Sequence, residues 1–295
     1  LVATSGDTGG AVANGFLGVK GVDVVILYPS GKVSEIQEKQ LTTLGQNITA
    51  LEVDGVFDDC QEMVKTAFLD AEITRTLTSA NSINIARWLP QMFYFFFAYK
   101  ALHKKHKNLV FSVPSGNFGN ICAGIMVQKL GLPIQHFIAS TNVNDTVSNY
   151  LENGEYVPKK SIATISNAMD VGNPSNFIRI QELYGNDLAT IKKHFSSYSF
   201  TDAETKTAMK SIYDQTKYIA DPHGAVGYLG LQHHDLKDAY GVFLETAHPV
   251  KFLPTVESTL SLKLDIPKQI QEIMHKEKKA HFISNYEGLK NFLKE

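Results

Sequence analysis

Mostly apolar runs alternate with amphipathic stretches along the chain. Residues 22–28, 47–53, 109–113 and 134–139 are such runs, and residues 1–3 look like the end of another. Short apolar runs bounded by turn residues predict strands buried on both faces, as in a parallel sheet. Between them, residues 11–19, 34–44, 58–69 and 121–130 carry helical patterns, with Gly45 and Gly131 as stops. In the third of these, Cys60, Val64, Ala67 and Phe68 form the apolar face. Strand, loop and helix in repetition predict an α/β fold with parallel sheets covered by helices. A long helix is predicted over 85–104, and its aromatic run at 92–97 reads as core or subunit interface. Its end, 103–107, reads as a basic C-terminal turn rather than a metal site. Residues 149–158 read as a polar excursion. Residues 176–183, 187–195, 201–216 and 225–232 read as helices and 241–245 as a strand. The tail 266–295 reads as charged and helical, solvated at 275–281.

The strand at 109–113 leads into Pro114-Ser-Gly-Asn-Phe-Gly-Asn120 and then a helix. That order aims backbone N–H groups and a helix N-terminus at one point, which suits a phosphate. Gly116 and Gly119 leave room for close approach; a tight turn without a ligand is the plainer alternative. Thr4-Ser-Gly-Asp-Thr-Gly-Gly10 is a second loop at a helix start. Ser5, Asp7 and Thr8 are good caps, and the hydroxyls with the glycines equally suit a carboxylate or phosphate, although Asp7 repels a free phosphate. Asn81, Ser82 and Asn84 precede the long helix as caps or as an anion site. Arg87 lies near that helix start, where a cation is unfavourable unless an anion is close. Loops 4–10, 115–120, 140–146 and 246–249 all follow carboxyl ends of strands, where open α/β sheets bind ligands. They are therefore expected to line one cleft.

Composition narrows this further. The 295 residues carry a net charge of −2, which gives no electrostatic footprint for nucleic acid or an anionic membrane. Cys60 and Cys122 lack metal spacing, no apolar run reaches membrane-spanning length, and no signal peptide is visible. A cytoplasmic setting and no metal are expected. Dinucleotide and P-loop fingerprints are absent, as is the hydrolase elbow. A phosphate-bearing cofactor or substrate held by backbone amides remains. The chain opens at Leu1 inside a strand-like run, so an upstream segment is expected.

Seven motifs, in order, carry a resemblance: Ala3-Thr-Ser-Gly-Asp-Thr-Gly9, Tyr28-Pro-x-Gly-Lys32, Asn81-Ser-Ile-Asn84, Val113-Pro-Ser-Gly-Asn-Phe-Gly119, Thr141-Asn-Val-Asn-Asp-Thr146, Ser166-Asn-Ala-Met-Asp170 and Thr246-Ala-His-Pro249. Together they resemble the threonine synthases of many bacteria and fungi, over nearly the whole chain. The resemblance implies the fold type II, tryptophan synthase β-like architecture of pyridoxal-phosphate enzymes. By that analogy two doubly wound domains are expected, a smaller one at 1–98 and a larger one at 99–295. It implies conversion of O-phospho-L-homoserine and water to L-threonine and phosphate. It places the cofactor phosphate on Ser115, Gly116, Asn117, Phe118, Gly119 and Asn120. Thr246 would meet the pyridine nitrogen, and Asp7 would lie by the cofactor. Thr4, Ser5 and Thr8 would hold the substrate's amino-acid end. Asn81, Ser82, Asn84 and Arg87 are candidates for its phosphate, with an internal ion pair as Arg87's alternative. The family's Phe-Lys-Asp motif, whose lysine binds the cofactor covalently, does not occur in these residues; Lys237-Asp238 follows Leu236. No catalytic residue is therefore assigned, and the 295 residues alone are expected to be inactive. A serine or threonine dehydratase and a non-catalytic phospholigand-binding protein are the rival readings.

Overall fold

The structure, a computed structural model, describes residues 1–106 and 108–294. Lys107, in the expected basic turn, and Glu295, at the end of the tail, lie outside the described residues. The described strands are β1 (Val2–Ala3), β2 (Val24–Pro29), β3 (Ile48–Val53), β4 (Leu109–Pro114), β5 (Ile134–Thr141), β6 (Phe195–Ser199), β7 (Tyr240–Phe243) and β8 (His281–Ile283). They form two all-parallel sheets, ordered β1-β2-β3-β8 and β6-β5-β4-β7. Every residue of β2 and of β4 is buried, as expected of strands covered on both faces.

The chain forms two compact units. One comprises Leu1–Asn81, Val250–Leu253 and Lys263–Glu295; the other comprises Ser82–Pro249 and Pro254–Leu262. This differs from a division at residue 98. The helix Trp88–Leu102 belongs to the larger unit because Phe95 packs edge-on to Phe111 and Phe137, on β4 and β5. The tail belongs to the smaller unit through β8, which pairs with β3. Charge clamps reinforce that pairing. Lys278 reaches Glu38 at 2.6 Å and Glu52 at 2.8 Å, and Lys290 reaches Asp70 at 3.0 Å and Glu72 at 2.8 Å.

Other departures have local causes. The long helix starts as a 3-10 turn, Ile85–Arg87, before Trp88–Leu102. Pro90 sits in the first α turn, where its missing N–H is not needed. The aromatic run divides: Met92 and Phe95 are buried, whereas Phe93, Phe96 and Phe97 are exposed. In the helix Phe57–Leu69, Phe57 joins Cys60, Val64 and Ala67 in the core while Phe68 turns outward. The expected polar excursion begins inside a helix, Thr146–Asn153, which Gly154 ends in the left-handed conformation.

Strand β6 follows a helix ending at His194, and only its first residue, Phe195, is buried. It holds an edge of the sheet by pairing with β5, where His136 Nε2 meets Ser196 Oγ at 2.8 Å. The His136 ring also stacks on His234, with centroids 4.8 Å apart. Burial, then the neighbouring His234 charge, pushes His136 down to about 4. The folded chain thus binds fewer protons than the unfolded chain between the ordinary histidine value near 6.5 and about 4. The stability associated with neutral His136 is complete above that window and is lost as pH falls through it. Thermal melts from pH 7 to 4 should show a decline that is shallower in His136→Gln. Equal slopes would remove His136 as the cause.

Candidate functional site

In the larger unit the loop 115–118 joins β4 to the helix Gly119–Lys129. Phe118 caps that helix in the left-handed region, φ 62°. A bulky side chain is disfavoured there. Its ring is held in the core, edge-on to Phe177 at 6.1 Å. Among the described residues, the backbone N–H groups of Gly116, Phe118, Gly119 and Asn120 donate to no protein acceptor. A residue in the left-handed conformation among right-handed neighbours turns successive N–H groups to one side, which makes an anion nest.

The loop's polar side chains brace it. Ser115 Oγ donates to the Val113 carbonyl at 2.8 Å, and Asn120 Nδ2 to that of Pro114 at 2.8 Å. Asn117 Nδ2 donates to Ser82 Oγ at 2.8 Å, while its Oδ1 accepts from Ser175 N at 2.6 Å. A Cβ on Gly116 would lie 2.6 Å from the Ala168 carbonyl oxygen and 2.8 Å from Met169 Cα. The turn Asn167–Met169 therefore sits directly on this glycine.

Two residues that sequence reasoning missed organise the loop's flank. Asn176, fully buried, donates to the Asn117 carbonyl at 2.9 Å and to Ser82 Oγ at 3.1 Å. Arg179 donates to the Ile83 carbonyl at 2.5 Å and to Asn176 Oδ1 at 2.7 Å, and lies over the Trp88 ring at 5.3 Å. Ser82 is thereby joined to the Asn117 loop. Asn84 Oδ1 accepts from Ala86 N and caps the 3-10 turn. Arg87 is half-buried at the end of that turn, where desolvation works against its charge. Thr246 is exposed beyond β7. Beside it, Glu245 is partly exposed, yet its carboxyl lies against Gly224. Burial of that carboxyl, then the Asp221 charge, pushes Glu245 above the ordinary carboxylate value.

In the smaller unit Thr4 is buried, and its Oγ1 accepts from Gly6 N at 3.0 Å and Gly9 N at 2.9 Å. Thr4 thus serves N–H groups at the start of the helix Asp7–Phe16, whose N-cap residue is Gly6. Ser5 and Thr8 are half-buried at the same helix start. The Asp7 carboxylate binds Lys251 Nζ at 2.6 Å and Gln37 Nε2 at 3.2 Å. Asn81 makes two bonds to Ala3, accepting from its N–H at 2.9 Å and donating to its carbonyl at 2.6 Å. Its amide thus serves the open edge of β1.

The donor set in the larger unit fits a cofactor phosphate: several N–H groups without internal acceptors, a helix N-terminus, and no acidic side chain in the loop. Residues 1–244 match the family model described as pyridoxal-phosphate dependent enzyme. Residues 224–293 match threonine synthase, C-terminal. The chain is 47% identical over 300 residues to threonine synthase of Buchnera aphidicola subsp. Acyrthosiphon pisum, covering all of this chain and 69% of the relative. The crystal structure of Escherichia coli threonine synthase superposes with TM-score 0.95 at 44% identity, over 99% of this chain and 69% of that one. The pyridoxal-phosphate-bound threonine synthase of Brucella melitensis superposes with TM-score 0.87 at 34% identity, over 99% and 69%. The chain belongs to the threonine synthase family of pyridoxal-phosphate-dependent enzymes.

Proposed function

We propose that this chain carries the cofactor-binding part of a threonine synthase, which converts O-phospho-L-homoserine and water to L-threonine and phosphate. The observation that carries this reading is the set of unspent N–H groups at Gly116, Phe118, Gly119 and Asn120. They would hold the phosphate of pyridoxal 5'-phosphate, and the Thr246 hydroxyl would meet its ring nitrogen. Bound there, the cofactor supplies an electron sink that acidifies the Cα and Cβ protons of an amino-acid substrate. Ser5 and Thr8 would bind the substrate's amino-acid end with hydroxyls and the helix start. Thr4 and Asp7 would act behind them, Thr4 as the cap that fixes the loop and Asp7 as the anchor for Lys251. Ser82 and Arg87 would serve the substrate phosphate from the segment that Asn81 and Asn84 hold in place.

The net reaction removes phosphate from Cγ and places the hydroxyl of water on Cβ. No Phe-Lys-Asp motif occurs among these 295 residues. We therefore read them as unable to turn over substrate by themselves, with the covalent lysine supplied by an upstream segment. Among the described residues no helix is long and apolar enough to cross a membrane.

The assay supplies O-phospho-L-homoserine to the full-length protein and measures phosphate and threonine against ammonia and keto acid. Equal phosphate and threonine support the proposal. Ammonia and keto acid from serine or threonine, without phosphate release, would replace it with a dehydratase. Phosphate release by the 295 residues alone would overturn the claim that they lack a complete active site.

A further inference from the structure

Asp221 and His223 form a buried pair outside the groups used so far, with side chains 0% and 2% exposed. Asp221 caps the helix Pro222–His233, its Oδ1 accepting from His223 N at 2.8 Å. The same Oδ1 meets His223 Nδ1 at 2.7 Å. Across the ring, His223 Nε2 accepts from Ala168 N at 3.2 Å. A ring nitrogen that accepts an N–H bond carries no proton, so the imidazole is neutral with its hydrogen on Nδ1, directed at Asp221. Ala168 in turn presents its carbonyl to Gly116, close enough that no Cβ fits. A continuous path of contacts thus runs from Asp221 through His223 and Ala168 to Gly116. The chemistry of a triad is absent, since His223 is enclosed and its acceptor nitrogen is spent on the backbone.

We propose that Asp221 and His223 are positioning residues for the phosphate-binding loop: Asp221 fixes the tautomer and orientation of His223, and His223 holds the turn Asn167–Met169 down on Gly116. The inference rests on the cofactor reading and adds residues that no motif in the sequence singled out. A protein that leaves Gly116 unsupported would let the N–H groups spread and lose its grip on a phosphate. Asp221 has a second task, because its carboxylate also interacts with the Glu245 carboxyl. The same carboxylate thus stands between the phosphate loop and the strand end that leads to Thr246.

The test compares His223→Leu, which removes the acceptor, with His223→Gln, whose amide oxygen restores one. Equilibrium dialysis measures binding of pyridoxal phosphate, inorganic phosphate and pyridoxal, and a melting curve for each variant separates positioning from stability. His223→Leu is expected to weaken pyridoxal phosphate and inorganic phosphate at least tenfold, with pyridoxal unchanged and His223→Gln within threefold of wild type. Wild-type affinity for both phosphate probes in folded His223→Leu would overturn the inference alone. Equal weakening of all three probes, or equal losses in both variants, would also overturn it, since that marks general damage. A wild-type chain that binds neither phosphate probe overturns the cofactor reading and this inference with it. If His223→Leu does not fold, Asp221→Asn gives the same comparison: selective loss of the phosphate probes supports the positioning role, and unchanged binding refutes it.

Discussion

Gly116→Ala is expected to weaken pyridoxal phosphate binding by about ten- to a hundredfold. The added methyl would lie 2.6 Å from the Ala168 carbonyl oxygen and 2.8 Å from Met169 Cα. Both neighbours are backbone, so a rotamer change cannot relieve the clash. Either the loop lifts or the turn Asn167–Met169 retreats, and each route disperses the N–H groups that receive the phosphate. Overpacking of this kind costs about 1–3 kcal/mol. If most of that falls on the bound loop, the stated loss follows at about 1.4 kcal/mol per factor of ten. Gly119→Ala is an internal control. Its methyl would meet the Ser82 side chain, 2.7 Å away at Cβ, rather than a backbone. The Ser82 segment has some freedom to yield, so the loss should be smaller. Dialysis against pyridoxal phosphate measures both. Equal affinities for Gly116→Ala and wild type would show that the Ala168 contact does not shape the loop.

Arg179→Met is expected to lower unfolding stability by about 3 kcal/mol and to weaken phosphate binding with it. The guanidinium ties three pieces of chain together: the Ile83 carbonyl, the Asn176 amide, and the face of Trp88. A hydrogen bond to a charged group contributes about 1.5–3 kcal/mol. These bonds share a donor and a network, so their sum overstates the loss. Methionine keeps most of the packing volume while removing every donor. Lysine should not rescue it, because one ammonium cannot reproduce the fork and the stacking. Once Arg179 is gone, Asn176 loses the partner that orients its amide toward Asn117 and Ser82. Urea unfolding of the two variants, read beside phosphate affinity, checks both halves. A loss under about 1 kcal/mol would place Arg179 on the surface energetically, whatever its geometry.

The loop at 115–120 was legible in the sequence because its information is local. An apolar strand, two glycines and a helix start suffice to specify an anion nest. Its flank was not legible. Asn176 and Arg179 lie far along the chain from Asn117, in a segment whose pattern reads as an ordinary helix, and only tertiary packing brings them to Ser82. Asn81 shows the converse. Its place in a polar motif suggested ligand binding, yet its amide is spent on Ala3. Thr4, too, was placed at a ligand, yet its Oγ1 accepts from Gly6 N and Gly9 N at the helix start, where caps were expected of Ser5, Asp7 and Thr8. Among the strands, β2 and β4 announced themselves through unbroken burial, whereas β6 and β8 are short edges with polar residues. The sequence around β8 is dominated by lysines that clamp it to Glu38, Glu52, Asp70 and Glu72. A charged tail therefore concealed a strand.

We propose above all that the cofactor's phosphate rests on main-chain nitrogens at residues 116–120. Backbone amide resonances of the 295-residue chain, followed through a titration with pyridoxal phosphate, test it without reference to catalysis. Saturable downfield shifts are expected at Gly116, Phe118, Gly119 and Asn120, reproduced more weakly by inorganic phosphate. Saturable binding of pyridoxal phosphate that leaves those four amides unmoved would contradict it.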